Sequence, residues 1–63
     1  MYYWNNENHL VNEKGQNVCS VFYDAESKSW GFEDFRGRSE SGFATSEKAI
    51  AYCDEYMWNA YGI

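Results

Sequence analysis

Few residues in this 63-residue chain are equipped for chemistry. His9 is the only histidine, and no Ser/His/Asp or Cys/His spacing accompanies it. It reads as a surface or strand-edge residue. Acidic neighbours occur at Glu33-Asp34 and Asp54-Glu55. Adjacent strand residues point to opposite faces, and adjacent helical residues diverge by about 100°, so neither pair forms a site by itself. Gly37 and Gly42 match no phosphate-binding spacing. Cys19 and Cys53 lack the closely spaced Cys or His partners of a zinc site. They read as reduced thiols, small and buried near a sheet–helix interface. Arg36 and Arg38 form the one local basic feature, a loop shielded by Ser39 and Glu40. The expectation is a chain that is not an enzyme and holds no metal or cofactor.

The constellation that stands out is acidic and aromatic. Glu47, Asp54, Glu55 and Trp58 converge on one face of the C-terminal segment, with Tyr52 beside them. Aromatic side chains anchor protein interfaces, and the charges around them steer and select the partner. The competing expectation is that Trp58 packs under Tyr2, Tyr3 or Trp4 and seals the N-terminus onto the helix.

Positioning these residues falls to a small set of elements. A short strand is expected around residues 9–12, followed by a hairpin turn at Asn12-Glu13-Lys14-Gly15, where glycine takes positive φ. Residues 18–24 and 29–35 read as paired strands joined by Ala25-Glu26-Ser27-Lys28. A four-residue loop pairs Tyr23 with Trp30, Val21 with Phe32 and Cys19 with Asp34. That register gathers Cys19, Val21, Tyr23, Trp30 and Phe32 on one face. Val18, Phe22 and Phe35 go to the other, which would then be half apolar. Residues 36–42 read as a polar loop, and Gly42-Phe43-Ala44 as a short further strand.

Thr45 is the expected N-cap of a helix over residues 46–61, with Gly62 as its stop signal. At 3.6 residues per turn, Ala49, Ile50, Cys53, Tyr56, Met57 and Ala60 form the inward stripe. The predicted fold is a single α+β domain over residues 1–63. A three- to four-stranded antiparallel sheet packs on one C-terminal α-helix.

Composition narrows the function classes. Three Trp, six Tyr and four Phe are more aromatic surface than one sheet face and one helix stripe can hide, so an exposed cluster is expected. Net charge is −5, from ten acids against five scattered bases. A basic patch that would release counterions from phosphates is missing, which disfavours direct nucleic-acid binding. No stretch approaches the roughly 20 apolar residues of a membrane span. Met1 leads straight into Tyr2-Tyr3-Trp4 with no signal-peptide pattern. A cytoplasmic location without membrane association is expected.

The stretch with Trp30-Gly31 in its second long strand and Phe43-Ala44-Thr45-Ser46-Glu47-Lys48-Ala49 at the start of its helix resembles the arm-binding domains of phage integrases. The resemblance covers about two-thirds of the chain and is topological. It implies the sheet-plus-helix layout. It does not carry DNA binding over, because Ser20, Glu33 and Asp34 stand on strands that are basic in those domains. In size and charge the chain is also similar to the small acidic proteins with which phages inhibit host enzymes. The leading expectation is therefore a protein-binding module, a phage or mobile-element inhibitor that occupies a basic surface of a host nucleic-acid-handling protein. The alternative is a structural or regulatory protein forming homodimers through an aromatic sheet face. A weak nucleic-acid binder using Arg36, Arg38 and exposed aromatics ranks third.

Overall fold

The computed structural model describes residues 2–62. Five strands form one antiparallel meander: β1 (Tyr3–Trp4), β2 (His9–Val11), β3 (Asn17–Asp24), β4 (Ser29–Asp34) and β5 (Ser39–Phe43), in the order β1-β2-β3-β4-β5. One helix, α1 (Ser46–Tyr61), covers a single face of that sheet. The fold class is α+β as expected, but the sheet has five strands rather than three or four. The added strand is β1, while the short strand expected at Gly42-Phe43-Ala44 is present as the end of a longer β5. The aromatic pair Tyr3–Trp4 bonds to β2, and β5 begins at Ser39 inside the supposed polar loop.

The central register is the predicted one: Cys19 faces Asp34, Val21 faces Phe32 and Tyr23 faces Trp30. Alternation then turns Cys19, Val21 and Phe32 toward the helix, where they are buried with Leu10, Ala49, Cys53 and Met57. Phe32 anchors this core, its ring in contact with those of Phe43, Tyr52 and Tyr56. Some expectations about the core need correction. Tyr23 lies on the predicted face but is 53% exposed. It sets its ring edge-on against Trp30 at 5.6 Å instead of packing into the core. Ile50 packs against the core as expected, though half-buried, whereas Ala60 is exposed and Tyr61 packs the last turn onto the core.

Three of the four hairpin loops repeat one device. In each, an Asn or Asp starts the loop, and its side-chain Oδ1 accepts from the amides two and four residues on. Asn5 receives Glu7 and His9, Asn12 receives Lys14 and Gln16, and Asp34 receives Arg36 and Arg38, all at 2.9–3.0 Å. The residue three positions on bonds back to the loop's first carbonyl and takes positive φ: Asn8, Gly15 and Gly37. This is a type I turn closed by a left-handed residue, the common three-residue hairpin connection.

Gly31 serves a different purpose. A bulge between Trp30 and Gly31 draws β5 so close that a Cβ here would lie 2.6 Å from the Glu40 carbonyl oxygen. Because that neighbour is backbone, Gly31→Ala is expected to cost roughly 1–3 kcal/mol, read as a lower urea midpoint at unchanged slope.

The helix termini match the sequence. Thr45 accepts the Lys48 amide at 3.1 Å, and Gly62 closes the C-terminus in the left-handed region. No helix among the described residues is long and apolar enough to cross a membrane.

Candidate functional site

α1 turns Ala49, Cys53 and Met57 inward, so Glu47, Asp54, Glu55 and Trp58 are carried outward, and all four are exposed. Trp58 is 65% exposed, the most open large hydrophobic residue of those described. The expected cover by the N-terminal aromatics does not form. Trp4 spends its indole N–H on Asp54 Oδ1 at 2.8 Å, one helical turn short of Trp58. That bond ties β1 to the flank of the helix. Asp54 is therefore a structural acceptor as well as a surface acid. Glu47 sits in the first turn, where the positive end of the helix dipole favours it, and accepts the Ser46 hydroxyl.

Tyr52 does not join this group. It leans to the β5 side, with its ring 5.1 Å from that of Phe43 and its hydroxyl donating to Glu40 at 3.3 Å. Of the five residues singled out from sequence, four share the outward helix face and Tyr52 leaves it. The displacement follows from helical angle, since Tyr52 precedes the inward Cys53 by one residue and falls at the stripe's edge.

The open sheet face is more polar than expected. Register aligns His9, Ser20, Glu33 and Ser39 in one row across four strands. Phe22 is exposed, but Val18 packs against the core and Phe35 turns its ring to Tyr61 at 5.1 Å. Within the row, His9 Nδ1 and Ser20 Oγ share a hydrogen bond of 2.7 Å. A hydroxyl–imidazole pair is how a base-activated nucleophile is assembled. Here no hydrogen bond from a described residue orients the other ring nitrogen, and no cavity adjoins the pair. No group of three or more described His, Cys, Asp or Glu residues is arranged to hold a metal ion.

A second cluster lies beyond what the sequence reading singled out. Asp34 is the one buried charged or polar residue among those described, 5% exposed. Its Oδ1 takes the Arg36 and Arg38 amides, and its Oδ2 takes the hydroxyls of Tyr56 at 2.9 Å and Tyr61 at 3.0 Å. Burial pushes this carboxyl up, but hydrogen bonds from Tyr56, from the two loop amides and from Tyr61 outweigh it and hold it below its ordinary range. The Tyr56 hydroxyl is pushed well above the usual tyrosine range by its contact with the Tyr61 hydroxyl, by burial and by Asp34. Over these rings lie two guanidinium groups, Arg38 at 5.0 Å from the Tyr56 centroid and Arg36 at 5.4 Å from that of Tyr61. The cluster had a signal in the sequence. The predicted register already placed Asp34 on the inward face, where an acid needs donors, and Tyr56 was on the inward stripe.

The cysteines sit where they were expected and in a different state. Cys19 of β3 and Cys53 of α1, both buried, are joined in a disulfide. The reduced-thiol expectation is corrected. Two inward faces that meet bring together sulfurs 34 residues apart, a proximity that spacing along the chain conceals.

No known protein family, curated protein or solved structure matches the chain.

Proposed function

We propose that this protein is a non-enzymatic binding module whose outward α1 face docks a basic protein. The observation that carries this reading is Trp58. A tryptophan left 65% exposed on an otherwise polar helix face, with Asp54 and Glu55 one turn away and Glu47 on the same face about three turns back, has the composition of an interface anchor with steering charges. Ten acids against five bases extend the complementarity beyond that face. On this reading the natural partner is a host protein whose basic surface otherwise holds nucleic-acid phosphates. The module acts as a phage or mobile-element inhibitor in the cytoplasm. The disulfide weighs against that compartment, because cytosolic thiol buffers keep such pairs reduced. Intact mass after expression in reducing and oxidising compartments separates the two placements.

The bond from Trp4 decides how the binding face is tested. Reversing Asp54 would break it and disturb β1, so the charge reversal belongs at Glu47 and Glu55. Glu47→Lys with Glu55→Lys is expected to slow association with a captured basic partner, most strongly at low salt. The Debye length contracts from about 10 Å at 0.1 M to about 3 Å at 1 M, so the difference should fade as salt rises. Trp58→Ala is expected to speed dissociation while shifting stability by no more than about 0.5 kcal/mol, since the ring is in solvent. Surface plasmon resonance reads both rates. Unchanged kinetics in both variants would reduce this face to a solvated surface.

A further inference from the structure

We propose that the tip of the β4–β5 hairpin, Phe35 and Arg36, is a second and separate docking point, built to receive one carboxylate of an acidic partner segment. Arg36 is exposed, and no described carboxylate lies within ion-pairing distance of it. Lys14, Lys28 and Lys48 also lack an ion pair among the described residues, and what sets Arg36 apart from them is that two aromatic rings hold its charged group. Arg38, two residues on, bonds to Glu40 at 3.2 Å. Asp34, the nearest acid in sequence, has its carboxylate filled by four donors.

The guanidinium is also held in place. Its carbon lies 5.7 Å from the Phe35 ring centroid and 5.4 Å from that of Tyr61. The Tyr61 ring is fixed in turn by its hydroxyl on Asp34. Beneath it, Asp34 Oδ1 grips the Arg36 and Arg38 amides, and Gly37 closes the loop at φ 87°. These ring contacts leave the guanidinium N–H groups, for which no described residue is a hydrogen-bond acceptor, to a ligand. A planar edge already oriented can take a carboxylate in two parallel hydrogen bonds at a reduced ordering cost. Beside it, Phe35 is 53% exposed and offers apolar contact to a neighbouring residue of the same segment. Arginine flanked by aromatic rings is the composition of an interface hot spot.

A protein carboxylate fits this point better than a nucleic-acid strand. Nucleic acids bind through several neutralised phosphates, and here only one cation is free at the site. Lys14 belongs to the neighbouring hairpin loop, while Lys28 and Lys48 lie toward the opposite end of the sheet.

The test is selection of a random displayed-peptide library on the full chain, run in parallel on Arg36→Gln, Arg36→Lys and Trp58→Ala. Wild type is expected to enrich peptides with Asp or Glu beside an aromatic or large apolar residue. Trp58→Ala should enrich the same pool, which separates this point from the helix face. Arg36→Gln should lose the enrichment while near-ultraviolet circular dichroism stays native. Arg36→Lys keeps the charge but not the planar edge, and should bind the enriched peptide roughly tenfold more weakly. Identical pools from wild type and Arg36→Gln would overturn the proposal, as would enrichment of basic or uncharged peptides. Titrations with inorganic phosphate and with oligouridylate, followed at the Arg36 side-chain resonance, complete the comparison. Saturation by either, with no response to acidic peptides, would reassign the point to phosphate.

Discussion

Reduction of the Cys19–Cys53 disulfide is expected to remove about 4 kcal/mol of stability. The bond closes a loop spanning 34 residues and joins the middle of β3 to the middle of α1, so in the chain-entropy account it strongly restricts the unfolded ensemble. A domain of this size has roughly 3–9 kcal/mol in total. The reduced protein should therefore stand close to unfolding at body temperature, with a melting temperature lower by more than about 10 °C. Urea melts with and without dithiothreitol measure the loss, and intact mass confirms the redox state in each. Replacing both cysteines with alanine should reproduce the reduced curve, with a further cost for the two cavities. Equal melts under oxidising and reducing conditions, with the mass difference confirmed, would show that packing alone holds helix to sheet.

What the sequence made legible is what periodicity governs. Two independent patterns, period 2 in β3 and β4 and period 3.6 in α1, each leave one apolar face, and their meeting sets the register and the core. Caps at Thr45 and Gly62 are local chemistry and were readable for the same reason. Of the edge strands, only the end of β5 at Gly42-Phe43 was legible. Tyr3–Trp4 is only two residues long and Ser39–Phe43 is polar, so neither presents an apolar alternation, and both exist because a neighbouring strand offers hydrogen bonds.

A signal for β1 and β5 was nevertheless present. Asn5/Asn8, Asn12/Gly15 and Asp34/Gly37 repeat one spacing, an Asx residue followed three positions later by a residue tolerant of positive φ. Read as three copies of one hairpin loop, that spacing demands a strand on each side of every copy. The outward helix face was legible because helical angle alone fixes it. The same angle already set Tyr52 at the edge of the inward stripe, and only its attachment to Glu40 and Phe43 depends on β5. The Arg36 site was hidden because its supports come from both the loop and the end of α1.

Loss of the Asp34 carboxylate is the other large effect expected, with Asp34→Ala costing roughly 3–4 kcal/mol. Four donors converge on this buried group, and alanine leaves all of them without their acceptor. The two loop amides can turn to water, so most of the penalty falls on the half-buried Tyr56 and Tyr61 hydroxyls. Asp34→Asn keeps an oxygen for the amides and is expected to cost less, about 1–2 kcal/mol.

The pH dependence separates the charge from the packing. The folded carboxyl titrates below its ordinary value of 3.8, so the folded state binds that proton less readily than the unfolded chain does. Its contribution is therefore complete above the unfolded value and is lost as pH falls through the lowered folded one. Tyr56 acts in the opposite sense at the alkaline end. Its folded hydroxyl titrates above the ordinary 10.0, so its contribution is complete below that value and is lost as pH rises toward the folded one. Urea midpoints measured from about pH 2 to pH 7 should fall less steeply below pH 4 for Asp34→Asn than for wild type, because the variant has no carboxyl to protonate there. Parallel acid limbs in the two proteins would mean that the network holds its loop by shape, with the charge contributing nothing.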